Sequence, residues 1–301
     1  MNIVVFHDCG EEKAAGRLLK MMTDADCGIK EASPFAFPSD WETETLVIGA
    51  ALSGATHFLT FGESLPPWFP FAAGIAGGKD CPLVWYGTPL AHKPGYAPGL
   101  VVCKDKAALI RYLRAESAVL NKRQAFGKAR EMLLDRGIPV TMESFAHYVG
   151  EGDTAVMRLF LDAGFSPDEK DKKGVPLLCI AARAGSVPAV RFLIAQQSDV
   201  NQKSGDRGNT ALVDAALGKY AGLVKDLVEA GADVNAKSKD GQSALIIAVG
   251  LADIATAEIL LKSGANADEP DLLGVTARKY AALFHKDEML ALFHRLAPAG
   301  N

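Results

Sequence analysis

Four glycines recur at a nearly constant interval in the second half of the chain. Gly174, Gly208, Gly241 and Gly274 are separated by 34, 33 and 33 residues, and each is followed seven positions later by an alanine. A fixed period near 33 residues is typical of stacked helical repeats, in which neighbouring repeats bury each other's apolar faces. The sequence therefore predicts a helical solenoid, an architecture that builds extended binding surfaces.

Each repeat follows the pattern Gly-x-Thr/Ser-x-Leu-x-x-Ala, with exceptions at Pro176 and Arg278. A hydroxyl two residues after the glycine is placed to cap a helix, and the apolar residues that follow share one face of that helix. A second apolar run comes next and ends at Gly231 and Gly264 in two of the repeats, where glycine suits the left-handed conformation that closes a helix. Each repeat is thus predicted to be a helix pair followed by a turn.

This pattern resembles the ankyrin repeat, most clearly in Gly-Ala-Asp-Val-Asn at residues 231–235 and Asp-Gly-Gln-Ser-Ala-Leu at residues 240–245. About four repeats after a partial N-terminal helix are predicted, so that the chain divides into residues 1–117 and residues 118–301. The histidine of the family's Thr-Pro-Leu-His turn is absent from every repeat. Cys179, Val213 and Ile246 occupy its place in three of them, where we expect apolar packing.

The resemblance implies that a protein partner binds the hairpin tips and the inner face of the first helices. The candidate partner-binding residues are the polar and aromatic residues in those registers: Lys172, Arg183, Asp206, Arg207, Lys219, Tyr220 and Lys239. Tyrosine often dominates binding energy, which favours Tyr220. An extra residue lengthens the tip at residues 204–208, which makes that tip a candidate for a partner-specific contact. The alternative is that these side chains form solvated turns, since most surface charges contribute little.

Residues 1–117 alternate between strand-like and helix-like runs, which predicts a small α/β domain with a mainly parallel sheet, flavodoxin-like or TIR-like. Strands are predicted at residues 2–6, 45–48, 57–61, 82–86 and 100–103, and helices at residues 11–22, 68–76 and 105–118. Ligands of such sheets bind at the carboxyl ends of the strands. The candidate ligand-binding residues at those ends are His7, Cys9, Glu63 and Ser64. The alternative for residues 7–9 is a strand end followed by a helix cap.

The stretch at residues 56–87 resembles TIR domains and the related nucleoside deoxyribosyltransferases, through Ser64, Trp68, Ala76, Gly78, Lys79, Pro82 and residues 83–85. Active members carry a glutamate three or four positions after the tryptophan, where this chain has Phe71 and Ala72. An uncharged side chain does not stabilise an oxocarbenium-like centre. The resemblance therefore implies a non-catalytic module. The alternative is a nucleotide- or nucleoside-binding or hydrolysing enzyme that the repeats bring to its target.

Composition excludes several other classes of protein. The 301 residues carry a net charge of −4, and neither part of the chain has the basic surface that nucleic-acid binding needs. No run of 18 apolar residues predicts a membrane span. The five cysteines are dispersed without zinc-ligand spacing, and no nucleotide or cofactor motif occurs, so no metal and no cofactor are predicted. Without a visible secretion signal, we expect a soluble, cytoplasmic protein.

Overall fold

The computed structural model describes residues 1–7, 11–27, 29–36, 55–62, 66, 69–78, 81–87, 97 and 99–297. The chain forms two compact units, Met1–Gln124 and Ala125–Asn301, called here the α/β unit and the helical unit. The boundary between them falls within one long helix, Lys106–Asp135. The sequence-based boundary after residue 117 lies in the same helix.

In the described part of the α/β unit, five parallel strands form a sheet: β1 (Asn2–His7), β2 (Glu31–Ala36), β3 (His57–Gly62), β4 (Leu83–Gly87) and β5 (Val101–Cys103). Their order in the sheet is β2-β1-β3-β4-β5. The helices described in this unit are α1 (Glu12–Asp24), α2 (Phe69–Gly78) and the start of α3 (Lys106–Asp135).

Side chains alternate along each strand, so that successive residues point to opposite faces of the sheet. Both faces of the central strands are buried, as is usual for a parallel sheet. Val4 and Phe6 of β1 pack in one apolar layer with Phe69 of α2. Ile3 and Val5 belong to a second layer that contains residues of α1 and α3. Helices on both faces of a parallel sheet are the architecture that the alternating pattern predicts, so the α/β prediction is confirmed.

Strand β2 is the element of the sheet that the sequence patterns do not predict. It carries Pro34 and is largely exposed. β2 lies at the edge of the sheet, where it pairs only with β1 among the described strands. Proline is tolerated in an edge strand because one side of the strand needs no hydrogen-bonded partner. The predicted strand at residues 45–48 lies outside the described residues.

The described part of the helical unit contains five helix pairs after α3, which we call repeats 1 to 5. They are α4 (Met142–Glu151) with α5 (Thr154–Asp162), α6 (Leu177–Ala184) with α7 (Val187–Ala195), α8 (Ala211–Leu217) with α9 (Ala221–Glu229), α10 (Ala244–Gly250) with α11 (Ile254–Lys262), and α12 (Ala277–Leu283) with α13 (Asp287–Leu296). The first helices of successive repeats pack on one another. One continuous apolar core runs through all five repeats.

The local signals that predicted the repeats are present in the structure. The hydroxyls of Thr210, Ser243 and Thr276 each accept a hydrogen bond from the backbone N–H three residues on, at 3.4, 3.3 and 3.2 Å. Gly231 and Gly264 have φ values of +88° and +90°, the left-handed conformation that favours glycine. The helix caps and the glycine turns predicted from the sequence are thus confirmed.

Asparagine side chains join successive repeats at the turns between them. Oδ1 of Asn201 accepts from the backbone N–H of Asp233 at 2.8 Å. Oδ1 of Asn235 accepts in the same way from Asn266, also at 2.8 Å. Within the described ranges, no helix is both long enough and apolar enough to cross a bilayer.

Candidate functional site

Arg183, a predicted partner contact near the end of α6, is bound within the array. Its Nε donates to Oδ2 of Asp214 at 2.8 Å, while Nη1 and Nη2 donate to the carboxylate of Asp206 at 2.7 and 3.0 Å. Nη2 also donates to Oγ of Ser204 at 3.2 Å. The guanidinium therefore joins the first helices of repeats 2 and 3 to the enlarged tip at residues 204–208.

The two carboxylates of this network differ in their electrostatics. Hydrogen bonds from Arg183 hold the pKa of Asp206 well below its usual range. Asp214 is only 2% exposed, and burial raises its pKa in spite of the hydrogen bonds from Asn209 and Arg183. Hydrogen bonding to Asp206 raises the pKa of Arg183, which keeps the guanidinium charged. The network is thus an ion-pair cluster anchored on one buried carboxylate.

The enlarged tip is also bound to the tips on both sides of it. The backbone N–H of Gly205 donates to the carbonyl of Gly174 at 2.8 Å, which ties the tip to the preceding hairpin. Nζ of Lys239, on the next hairpin, donates to the carbonyls of Gly205 and Asp206. Lys239 is therefore engaged with the tip, although its side chain lies at the surface.

The other predicted contacts are more accessible. Lys172 is exposed and pairs with Glu143 of repeat 1. Arg207 and Lys219 are exposed, and no hydrogen bond or ion pair joins either side chain to another described residue. These two side chains and Lys172 keep their positive charges at the surface of the array.

Tyr220 precedes α9, and its ring lies across two glycines. A Cβ atom placed on Gly185 would lie 2.5 Å from the ring carbon Cζ, and one placed on Gly218 would overlap the ring. The residue as a whole remains 37% exposed. Tyr220 is therefore held in place on one face and open to solvent on the other, as a binding residue needs to be.

An apolar groove that the sequence patterns do not reveal crosses repeats 3 to 5. Its volume is about 230 Å³, and it is lined by six apolar or aromatic residues: Leu217, Ile246, Ile247, Leu251, Tyr280 and Phe284. Leu217, Leu251 and Phe284 are 42%, 36% and 53% exposed. All three lie nine or ten residues after the glycine that begins their repeat. Their shared position in the repeat is the signal in the sequence that points to the groove. It is missed when only polar and aromatic residues are considered as partner contacts.

The tip before repeat 5 is also apolar. Leu272 and Leu273 are 73% and 80% exposed, at the positions that charged residues occupy in the earlier tips. The hydroxyl of Tyr280 donates to Asp271 at the base of this tip at 2.8 Å, and its ring stacks on Phe284 with centroids 6.0 Å apart. Tyr280 thus connects the apolar tip to the groove.

The last repeat carries Arg278 at the position where earlier repeats carry a leucine. Arg278 donates to the carboxylate of Asp268 at 2.9 and 3.1 Å and to the carbonyl of Ala297 at 2.8 Å. Its guanidinium lies 5.3 Å from the centroid of Phe293. Arg278 therefore covers an apolar ring where a further repeat would stack.

Of the candidates in the α/β unit, the structure describes only His7. It is the last residue of β1 and is buried. Cys9, Glu63 and Ser64 lie outside the described residues. Ala72, one of the two residues at the glutamate position of the TIR resemblance, is fully buried in the apolar layer around α2.

A second buried histidine, His57, has no signal in the sequence that singles it out. Its Nε2 lies 3.5 Å from Oε2 of Glu116 on α3. Burial lowers the pKa of His57, and the neighbouring carboxylate acts in the opposite direction. His57 begins β3, so it lies at the amino end of the sheet, opposite to the edge at which ligands of such sheets bind.

The sequence is similar to a known family and to several known proteins. The sequence model of the family described as ankyrin repeats (3 copies) matches residues 145–238 and 215–295. A protein of Treponema pallidum (strain Nichols), named as ankyrin repeat-containing, is 32% identical over 298 residues, which cover 97% of this chain and 99% of that protein. The similarity to this relative therefore includes the α/β unit.

Two longer relatives match less than half of this chain. Neurogenic locus notch homolog protein 2 of Homo sapiens is 32% identical over 146 residues, which cover 48% of this chain and 6% of that protein. Alpha-latroinsectotoxin-Lt1a of Latrodectus tredecimguttatus is 37% identical over 137 residues, which cover 45% of this chain and 9% of the toxin. These similarities extend to a small part of each relative.

Proposed function

This chain belongs to the ankyrin repeat family, and on that premise we propose that it is an adaptor that binds a protein partner through its repeats. The observation that carries the proposal is the groove between Leu217, Leu251 and Phe284, which leaves apolar side chains in contact with water. A contiguous exposed apolar surface with a polar rim is typical of a protein-binding site. Arg207, Lys219 and Tyr220 lie on the same array and are proposed to contribute to the rim.

A groove variant tests this function directly. The full chain and the double variant Leu251→Ser/Phe284→Ser are used to capture proteins from cells that produce the chain naturally. We expect a partner that the wild type retains and the variant loses by at least tenfold. Val187→Ser is the matched control, because Val187 is an exposed apolar residue at the start of a second helix, outside the groove. Equal capture by all three proteins, or no specific partner, would contradict the proposal.

We propose the cytoplasm as the place where the adaptor acts. In the described part of the chain, Cys27, Cys103 and Cys179 are buried and form no disulfide. Unpaired cysteines are compatible with a reducing compartment, where disulfides are rare. Fractionation of cells that produce the chain tests this assignment, since recovery from a secreted or membrane fraction would contradict it.

A second candidate function belongs to the α/β unit, where one observation favours a small ligand. The strand order β2-β1-β3-β4-β5 reverses direction between β1 and β3, as in flavodoxin-like doubly wound sheets. Such sheets bind ligands at the carboxyl ends of the strands at this switch point, where His7 ends β1. We propose a nucleotide-like ligand that is bound without hydrolysis, because Phe71 and Ala72 stand where related enzymes carry a glutamate.

Thermal-shift and turnover assays with NAD, nucleosides and nucleotides on the full chain test this second function. A ligand-dependent rise in Tm without product formation supports a binding module. Product formation that Glu63→Gln abolishes would instead support the enzyme hypothesis. No shift with any of these compounds would contradict both hypotheses for the α/β unit.

A further inference from the structure

Charge is distributed unevenly along the hairpin tips of the array. The tips before repeats 2, 3 and 4, at residues 170–173, 203–207 and 237–240, contain seven lysines and arginines but three aspartates. These tips are strongly cationic, although the whole chain has a net charge of −4. We call them the cationic stripe. The tip before repeat 5 carries Leu272 and Leu273 in the corresponding positions.

The carboxylates of the stripe are largely engaged within the array. Oδ1 of Asp171 accepts from the backbone N–H groups of Lys173 and Val175, both at 2.8 Å. Asp206 is paired with Arg183. The side chains of Lys173 and Arg207, by contrast, have no bond to any other residue in the described part of the chain. The stripe therefore presents free positive charge to an incoming ligand.

The apolar groove runs along the first helices of repeats 3 to 5, and its lining includes Gln242, which follows the tip at residues 237–240. The groove is therefore not the end surface on which a further repeat would stack. The surface on which a sixth repeat would stack carries Arg278 and the exposed Lys279. The exposed apolar residues Leu251 and Phe284 line the groove instead, on the face that holds the ends of the first helices. Because the groove lies along the array and not at its end, a further repeat would not cover its apolar side chains.

We propose that the groove and the cationic stripe together bind one segment of a partner protein that carries apolar side chains in one part and carboxylates in the other. This inference rests on the proposed adaptor function and specifies the chemistry of the partner. The apolar part would fill the space between Leu217, Leu251 and Phe284, and the carboxylates would meet Lys173 and Arg207. Charge complementarity of this kind steers association and selects among partners.

The spacing of the tips sets the length of this segment. First helices that pack on each other lie about 10 Å apart, so three tips span about 20 Å. An extended chain covers that distance with about six residues, and the groove takes up several more. A segment of roughly 12 to 16 residues reaches both parts of the surface.

An anionic membrane also attracts cations, but it fits this surface less well. A bilayer could receive the protruding Leu272 and Leu273. The groove, however, lies between side chains of three successive first helices, α8, α10 and α12, and is lined in part by the buried Ile246 and Ile247. A flat lipid surface does not fill such a recess, whereas side chains of a peptide do.

Selection from a random peptide library tests the inference before any partner has been identified. Displayed peptides of 16 residues are selected on the full chain at low salt and sequenced. We expect the enriched peptides to contain a cluster of apolar residues and a net negative charge. Enrichment of net basic peptides, of peptides without apolar residues, or of none above background would overturn the inference.

Variants then locate the binding site of the enriched peptides. Leu251→Ser/Phe284→Ser should weaken binding at least tenfold. Lys173→Gln/Arg207→Gln should raise Kd several-fold and flatten the dependence of Kd on salt. Val187→Ser and Lys225→Gln/Lys262→Gln are the matched apolar and cationic controls, and they should bind as the wild type does. Binding that the groove variant or the stripe variant leaves unchanged would overturn the inference.

A vesicle assay separates the membrane from the peptide. Phosphatidylserine vesicles should not retain the full chain at physiological salt. If they do retain it, and if Leu272→Ser/Leu273→Ser abolishes retention while Leu251→Ser/Phe284→Ser does not, the inference is overturned in favour of a lipid surface. The cell-capture experiment is independent of the library. If capture of a cellular partner depends on the groove but the enriched library peptides are basic, the adaptor function remains supported. Only the proposed acidic segment is then rejected.

Discussion

Oδ2 of Asp214 accepts a hydrogen bond from Nε of Arg183 at 2.8 Å, although Asp214 lies in the seam between two first helices and is almost fully buried. Its other oxygen accepts from Nδ2 of Asn209 at 2.7 Å. Burial of a carboxylate is costly, and such charge-assisted hydrogen bonds offset that cost only in part. The pair also turns Arg183 towards the enlarged tip, where Asp206 binds the rest of its guanidinium.

Arg183→Ala should lower the free energy of unfolding by about 2 kcal/mol, because it leaves the buried carboxylate of Asp214 with a single donor. The expected loss is smaller than for a fully buried pair, since Arg183 is partly exposed. In an Asp214→Ala background the same substitution should cost well under half as much. Urea denaturation of the two single variants and the double variant measures this coupling.

Arg191 provides the matched control for this cycle. It forms a similar ion pair with Asp226 at 2.8 Å, but its side chain is 67% exposed. Arg191→Ala should therefore change stability little. Equal losses for Arg183→Ala and Arg191→Ala would show that burial of Asp214 does not matter.

Asp206→Asn should change the pH dependence of stability. The lowered pKa of Asp206 means that its ion pair with Arg183 stabilises the fold fully above the unfolded-state pKa, which is about 4, and that this contribution is lost as the pH falls below that value. The wild type should be more stable than Asp206→Asn by a constant amount between about pH 7 and pH 5, and the difference should shrink in more acidic solution. Urea denaturation across this pH range checks the sign, and a difference that widens in acid would contradict it.

The repeats could be predicted because their signals are local. A glycine in the left-handed conformation, such as Gly231, and a hydroxyl cap, such as Ser243, act within a few residues of their own position. The bond between Arg183 and Asp206 could not be predicted in this way. It joins two repeats across 23 residues of sequence and depends on how the enlarged tip folds.

The groove escaped prediction because an apolar residue on a helix is usually part of the core. Leu212 and Leu217 lie on the same helix, α8, yet the first is buried and the second is 42% exposed. The packing of α8 against its neighbouring helices decides which leucine faces solvent. In the α/β unit, the buried strands had clear apolar patterns, whereas β2 had none because it forms an exposed edge.

Gly218→Ala should destabilise the array by about 1 to 2 kcal/mol, because the added methyl group would overlap the ring of Tyr220. The φ angle of Gly218 is −79°, so the backbone itself accepts alanine, and the cost comes from the ring alone. In a Tyr220→Ala background, Gly218→Ala should therefore cost little. Thermal and urea denaturation of the single and double variants measure the effect.

Gly222→Ala is the control for this pair. A Cβ atom at Gly222 would meet no heavy atom within 4 Å, and the residue lies within α9. Replacing a helical glycine with alanine usually stabilises a protein by about 0.5 to 1 kcal/mol. If Gly218→Ala stabilised the array as Gly222→Ala does, the ring of Tyr220 would not be held over Gly218.

Asn235→Ala should loosen the last repeat selectively. Asn235 accepts from the backbone N–H of Asn266 at 2.8 Å and donates to the carbonyl of Gly264 at 3.5 Å, so its side chain bridges two turns. In a stacked array each repeat is stabilised by its neighbours, and a loss of about 1 kcal/mol at this interface should fall mainly on α12 and α13. Hydrogen exchange should therefore show reduced protection in those helices and little change in α6 and α7.

Asn266→Ala separates the bridge from local effects. The described side-chain hydrogen bonds of Asn266 stay within its own turn: it accepts from the N–H of Asp268 at 2.9 Å and donates to Glu269 at 3.4 Å. The substitution keeps the backbone N–H that donates to Asn235. Exchange in α12 and α13 should then stay close to that of the wild type. If Asn266→Ala reduced protection in these helices as much as Asn235→Ala does, the stability of the last repeat would depend on the turn itself, and the side-chain bridge between the repeats would contribute nothing further.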